Sequence, residues 1–165
     1  MKIRDRRQSI QVPSWRTYRQ FGESGQSLIE FAITLPLLLL IAFGIIEFGR
    51  AYYQYNTLSK AIRNGARYMS FHPYDGTNIS NAQNMVVYGQ SSGGSTPILP
   101  GLTTSMITIT PSGGTAPYDP INPPQSVTVG VVSYPFNSLA PGIISLNVTL
   151  SPQVMFRYVG PNARL

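Results

Sequence analysis

A chain of 165 residues holds one compact domain at most, and any membrane segment leaves the remainder only a modest core. With no cysteine in the sequence, structural disulfides, thiolate zinc sites, cysteine nucleophiles and lipoprotein-type acylation are all excluded. The formal charge of +6 is unevenly placed: Lys2, Arg4, Arg6, Arg7, Arg16 and Arg19 against Asp5 and Glu23 leave +4 before Gln26, and everything beyond carries +2. A basic tail beside an apolar stretch, with no basic stripe elsewhere in the sequence, serves membrane topology and is not the footprint of nucleic-acid binding.

The apolar stretch comes next. From Phe31 to Ile46 the sequence carries no charge, and Leu28 to Phe48 reaches the ~20 residues needed to span a bilayer core. Glu30 and Glu47 are its only interruptions. The positive-inside rule puts the N-terminus in the cytoplasm and the C-terminus outside. A buried helix of a soluble protein is the first rival, and the polar remainder lacks the apolar surface to enclose one. A cleavable secretory signal is the second, but the run is longer than the usual ~7–15 residue core and no small-x-small site follows.

Helical character continues past the membrane edge. Tyr55, Leu58, Ile62, Ala66 and Met69 recur at three- and four-residue steps, so one helix is expected from about Gln26 to Ser70, half of it outside the bilayer. Pro36 removes the hydrogen bond its missing N–H would make to Ala32, with Thr34 at hand to satisfy the freed carbonyl, and Gly44 adds a second soft point. The two are read as a hinge or as tolerated interruptions. Glu47 and Arg50, at i,i+3 spacing where the helix leaves the bilayer, read as a membrane-edge anchoring pair.

After Ser70 the composition turns to Gly, Pro, Ser, Thr and Asn. Ser80-Asn81-Ala82-Gln83 resembles a capping box and predicts a short helix through about Tyr88. Strands are predicted over Met106 to Thr110, Val127 to Tyr134, Ile143 to Leu150 and Val154 to Tyr158. In the third, Ile144, Leu146, Val148 and Leu150 share one face opposite Ser145, Asn147 and Thr149. Prolines at 111, 117, 120, 123, 124, 135, 141 and 152 fall between the predicted strands. The expected fold class is α+β: residues 1–25 a basic cytoplasmic leader, 26–70 a long transmembrane and amphipathic helix, and 71–165 an exported domain whose small antiparallel sheet packs on the outer half of that helix.

Chemistry is sparse in this sequence. The single histidine, His72, stands near Asp75, and the only other acid after Glu47 is Asp119. Both aspartates lie in turn contexts, His-Pro-Tyr-Asp-Gly and Pro-Tyr-Asp-Pro, and neither a metal-ligand set nor a glycine-rich phosphate loop follows a strand. Asn78 and Asn147 match a glycosylation sequon, a signal too common to carry weight. No enzyme, metal or cofactor is expected.

The edge of the apolar helix is more specific. Gly25-Gln26-Ser27-Leu28-Ile29 precedes Glu30 and Phe31, so a cut after Gly25 makes Glu30 the fifth residue and Phe31 the sixth. This pattern resembles the processing site of type IV pilin-like precursors, which a prepilin peptidase cuts after a glycine. The wider run, with Leu35-Pro36-Leu37, Glu47-Phe48-Gly49 and Ala-Ile-Arg-Asn-Gly-Ala-Arg at 61–67, resembles the TadE-like domain of tight-adherence pilus systems. The resemblance implies a minor pilin, or pseudopilin, of the bacterial inner membrane that contributes to an adhesive pilus. It also implies cleavage at Gly25 and Gln26, recognition and assembly roles for Glu30 and Phe31, and as partners the membrane, other pilin-like subunits, the assembly machinery and the peptidase. Major pilins of the group are usually much shorter, which points away from a bulk filament subunit. The alternative is an unprocessed single-pass envelope scaffold that binds assembly proteins through its exported domain.

Overall fold

The computed structural model describes residues 20–114, 119, 121–139, 141–142 and 147–160, with side chains from residue 25 onward. The expected leader at 1–25 lies almost wholly outside the described residues, as do Ile144, Ser145 and Leu146 of the third predicted strand. The chain falls into two units, 1–42 and 43–165. The first helix, α1 (Gln20–Phe71), contributes to both.

In the first unit α1 is the whole of the described structure. It begins at Gln20, ahead of the expected start at Gln26, and runs unbroken through Pro36 and Gly44. The Thr34 hydroxyl does not reach the carbonyl freed by Pro36. It donates at 2.7 Å to the carbonyl of Glu30, the i−4 bond available to any helical threonine. Leu28, Ile29, Phe31 and Ile33 are all well over half exposed. The helix from Gly25 has a most apolar stretch with mean hydropathy 2.5, none of it buried, which makes it a candidate membrane span.

The second unit is an α+β fold. Helix α2 (Gly76–Tyr88) follows α1, and strands β1 (Ile107–Ser112), β2 (Ser126–Val131) and β5 (Gln153–Arg157) form an antiparallel sheet in the order β1-β2-β5. A second pair, β3 (Tyr134–Pro135) with β4 (Thr149–Leu150), is also antiparallel. Alternation sets the inward faces: Ile107 and Ile109 from β1, and Val127, Val129 and Val131 from β2, are buried. They meet Leu58, Ala61, Ile62, Ala66 and Met69 of α1 and Ala82, Val86 and Val87 of α2 in one core. The amphipathic stripe therefore starts at Leu58. Tyr55, predicted to share it, is 45% exposed, because the core covers only the final turns of α1.

Four expectations are corrected at the level of elements. The N-cap of α2 is Asp75, whose carboxylate accepts Asn78 N at 2.8 Å, while Ser80 lies inside the helix and donates to the Gly76 carbonyl. The strand predicted over Val127 to Tyr134 breaks after Val131. Val131 and Tyr134 are both buried, and three-residue spacing cannot keep both on one face of a period-two strand. The chain bends at the exposed Val132 and Ser133, and Tyr134 opens the second sheet. The strand predicted over Ile143 to Leu150 is a strand only at Thr149–Leu150 among the described residues. Finally, Pro111 and Pro135 fall within β1 and β3. Pro111 is tolerated because β1 is an edge strand, where a missing N–H need not face a neighbour.

Candidate functional site

Two places on α1 hold the residues singled out from the sequence. In the first unit, Gly25 occupies a helical position where a Cβ would meet nothing within 4 Å. Neither packing nor backbone conformation requires glycine there, although glycine in a helix interior costs about 1 kcal/mol relative to alanine. One turn on, the Glu30 carboxylate accepts Gln26 Nε2 at 3.2 Å, so residues 26 and 30 share one face of the helix. Phe31, 61% exposed, lies beside Glu30 on the unburied surface.

In the second unit Glu47 is only 2% exposed. Its Oε1 accepts the backbone N–H of Leu139 at 2.7 Å and stands 3.9 Å from Arg50 Nη1. Arg50 donates through Nη2 to the carbonyl of Asn137 at 2.9 Å, and its guanidinium lies 5.2 Å from the centre of the Phe136 ring. The i,i+3 pair expected at the membrane edge is thus present, and it clasps the backbone of the 136–139 loop. Glu47 Oε2, Arg50 Nη1 and Gln54 Oε1 are buried without a hydrogen-bond partner among the described residues. Just before this loop, Tyr134 of β3 donates to the Pro100 carbonyl at 2.9 Å. Burial raises its phenol pKa above 10.0, with the Arg50 charge opposing.

The residues weighed for catalysis are engaged in structure. His72 stacks on Tyr68 with ring centres 3.9 Å apart, and its Nδ1–H donates to the Tyr68 carbonyl. Asp75 caps α2, and Asp119 accepts Ile121 N at 2.9 Å in a turn. Asn78, in the first sequon, bonds Asp75 and Tyr68 through its side chain. Among the described residues no three histidine, cysteine or acidic side chains gather as a metal site would require.

The glycine of the Ala-Ile-Arg-Asn-Gly-Ala-Arg run has a packing role that spacing alone does not reveal. A Cβ on Gly65 would lie 2.4 Å from Val86 Cγ2 and 3.1 Å from the Ala82 carbonyl oxygen. Gly65 thus packs directly against α2, with Ala61, Ile62 and Ala66 buried around it.

A family model described as TadE-like protein matches residues 25–67. Neither a curated protein nor a solved structure matches the chain. The matched segment contains Gly25, Glu30, the apolar span, the Glu47 and Arg50 clasp and Gly65, and together with that span it fits a membrane-anchored, pilus-related protein.

Proposed function

We propose that this TadE-like chain is a minor pilin of a tight-adherence type pilus, made as a precursor and processed by a prepilin peptidase between Gly25 and Gln26. The observation that carries the reading is the Gln26–Glu30 contact on an unburied apolar helix. Cleavage after Gly25 would create a free amine on Gln26, one helical turn from Glu30, the first carboxylate of the apolar run. An isolated carboxylate in hydrocarbon costs a few kcal/mol, and an amine on the same or a neighbouring subunit would neutralise it as the helix packs among other pilin helices. Gly25, with no structural reason to be glycine, supports peptidase recognition as its reason.

The chain in this reading lies in the bacterial inner membrane, with its basic leader cytoplasmic and residues 71–165 outside. Its work is assembly and presentation, not catalysis. Pro36 and Gly44 would let the span bend as it leaves the bilayer for a filament, and Glu47 with Arg50 would hold the loop at the membrane edge. Its partners are other pilin-like subunits and the assembly machinery.

Complementation tests the role of Glu30. In a strain lacking this gene, the wild-type chain restores surface pili, and Glu30→Ala reaches the membrane at normal levels but restores fewer than about a tenth as many. Full restoration by Glu30→Ala would contradict the assembly role.

A further inference from the structure

We propose that the second unit carries a docking groove for an acidic, apolar-anchored segment of another polypeptide, which binds along the open edge of β5. The groove, about 520 Å³, lies between the last turns of α1 and the end of β5. Arg63, Arg67 and Arg157 bring the charge to it, and Phe71, Phe156 and Val159 supply an apolar floor. Arg157 is far from the other two in sequence, which is why no basic stripe is visible there. All three arginines are exposed, and none makes an ion pair or a side-chain hydrogen bond among the described residues. Three like charges around one depression repel each other until an anion enters.

Geometry specifies the shape of the occupant. Successive residues of a strand point to opposite faces, so a groove lined by both Phe156 and Arg157 runs along the strand's edge and not over one face. β5 pairs with β2 on one side only, and just past its end the Val159 and Gly160 N–H groups donate to the Ser70 carbonyl at 2.9 and 3.0 Å, so the open edge is that of Gln153–Arg157. An extended segment can add to the other side through its backbone, with carboxylates on the arginines and an apolar side chain against Phe71 and Phe156.

Charge specifies its source. Beyond Glu47 the acids of this chain are only Asp75, which caps α2, and Asp119, which accepts Ile121 N in a turn, so this part of a second copy offers no run of acids. Membrane headgroups are disfavoured by position. Arg63 lies about fifteen residues past Phe48, or about 22 Å along the helix, beyond the ~8 Å screening length at physiological salt. A different protein outside the bilayer remains.

The test uses the full chain in phosphatidylcholine nanodiscs, titrated with a short fluorescein-labelled peptide that alternates glutamate with valine and phenylalanine. Saturable binding is expected, weakened about tenfold or more in the combined R63Q, R67Q and R157Q variant, whose thermal unfolding stays unchanged because all three side chains are exposed. A peptide with lysine in place of glutamate should not bind. Absence of saturable binding, equal binding of the lysine peptide, or binding that survives the triple variant would overturn the proposal. So would inorganic phosphate or phosphatidylglycerol vesicles occupying the same arginines while the peptide fails to displace them. The measurement depends on neither leader cleavage nor pili, so its failure leaves the pilin reading standing.

Discussion

Gly25 and Gly65 sit in one helix and one matched segment, yet they answer to different constraints. Gly65 is fixed by contact: Val86 and the Ala82 carbonyl fill the space a side chain would need. Alanine there gains about 1 kcal/mol of helix propensity but overpacks a filled core at a cost of about 1–3 kcal/mol, against a β-branched, fully buried neighbour that cannot swing away. Gly65→Ala should therefore lower the stability of the second unit by up to about 2 kcal/mol, read as an earlier midpoint in thermal unfolding of the detergent-solubilised chain. A later midpoint would mean that α2 relaxes freely. A Cβ on Gly25 meets nothing within 4 Å, so no such packing constraint acts there. Both glycines lie in motifs legible in the sequence, but only coordinates show that one of them is fixed by packing.

At the scale of elements, α1 and the loop at 136–139 hold each other. Glu47 and Arg50 were legible as a helical i,i+3 pair, but their partners were not, because backbone groups of a loop some ninety residues away leave no mark in sequence. Glu47→Ala would leave the Leu139 N–H without its acceptor and a half-buried Arg50 without its counter-charge. The loss should be about 1–3 kcal/mol. Hydrogen exchange checks it: the Leu139 amide should exchange at least about tenfold faster in the variant, while amides of β2 change no more than global stability requires. Unchanged exchange at Leu139 would show that other contacts hold the loop. The strands were less legible than the helix for a related reason. Val127, Val129 and Val131 announce a strand by alternation, but the phase shift before Tyr134 depends on a second sheet whose partner, Leu150, comes much later in the chain. Asp75 read as a turn residue because an N-cap has the same local chemistry as an Asx turn.

For the whole molecule, the α+β class, the long helix and the apolar span were readable because each rests on local periodicity or composition. The meeting of Arg63, Arg67 and Arg157 was not, since tertiary pairing alone brings β5 to the end of α1. The functional reading stands on the segment where sequence pattern, family match and geometry coincide, from Gly25 through Glu30 into the exposed apolar helix. In that reading the chain works as a processed subunit and not as a permanent precursor. Mass measurement of the membrane-extracted protein from cells containing a prepilin peptidase tests this most directly. A processed subunit begins at Gln26 in this measurement; a chain that keeps residues 1–25, or begins anywhere else, overturns the reading.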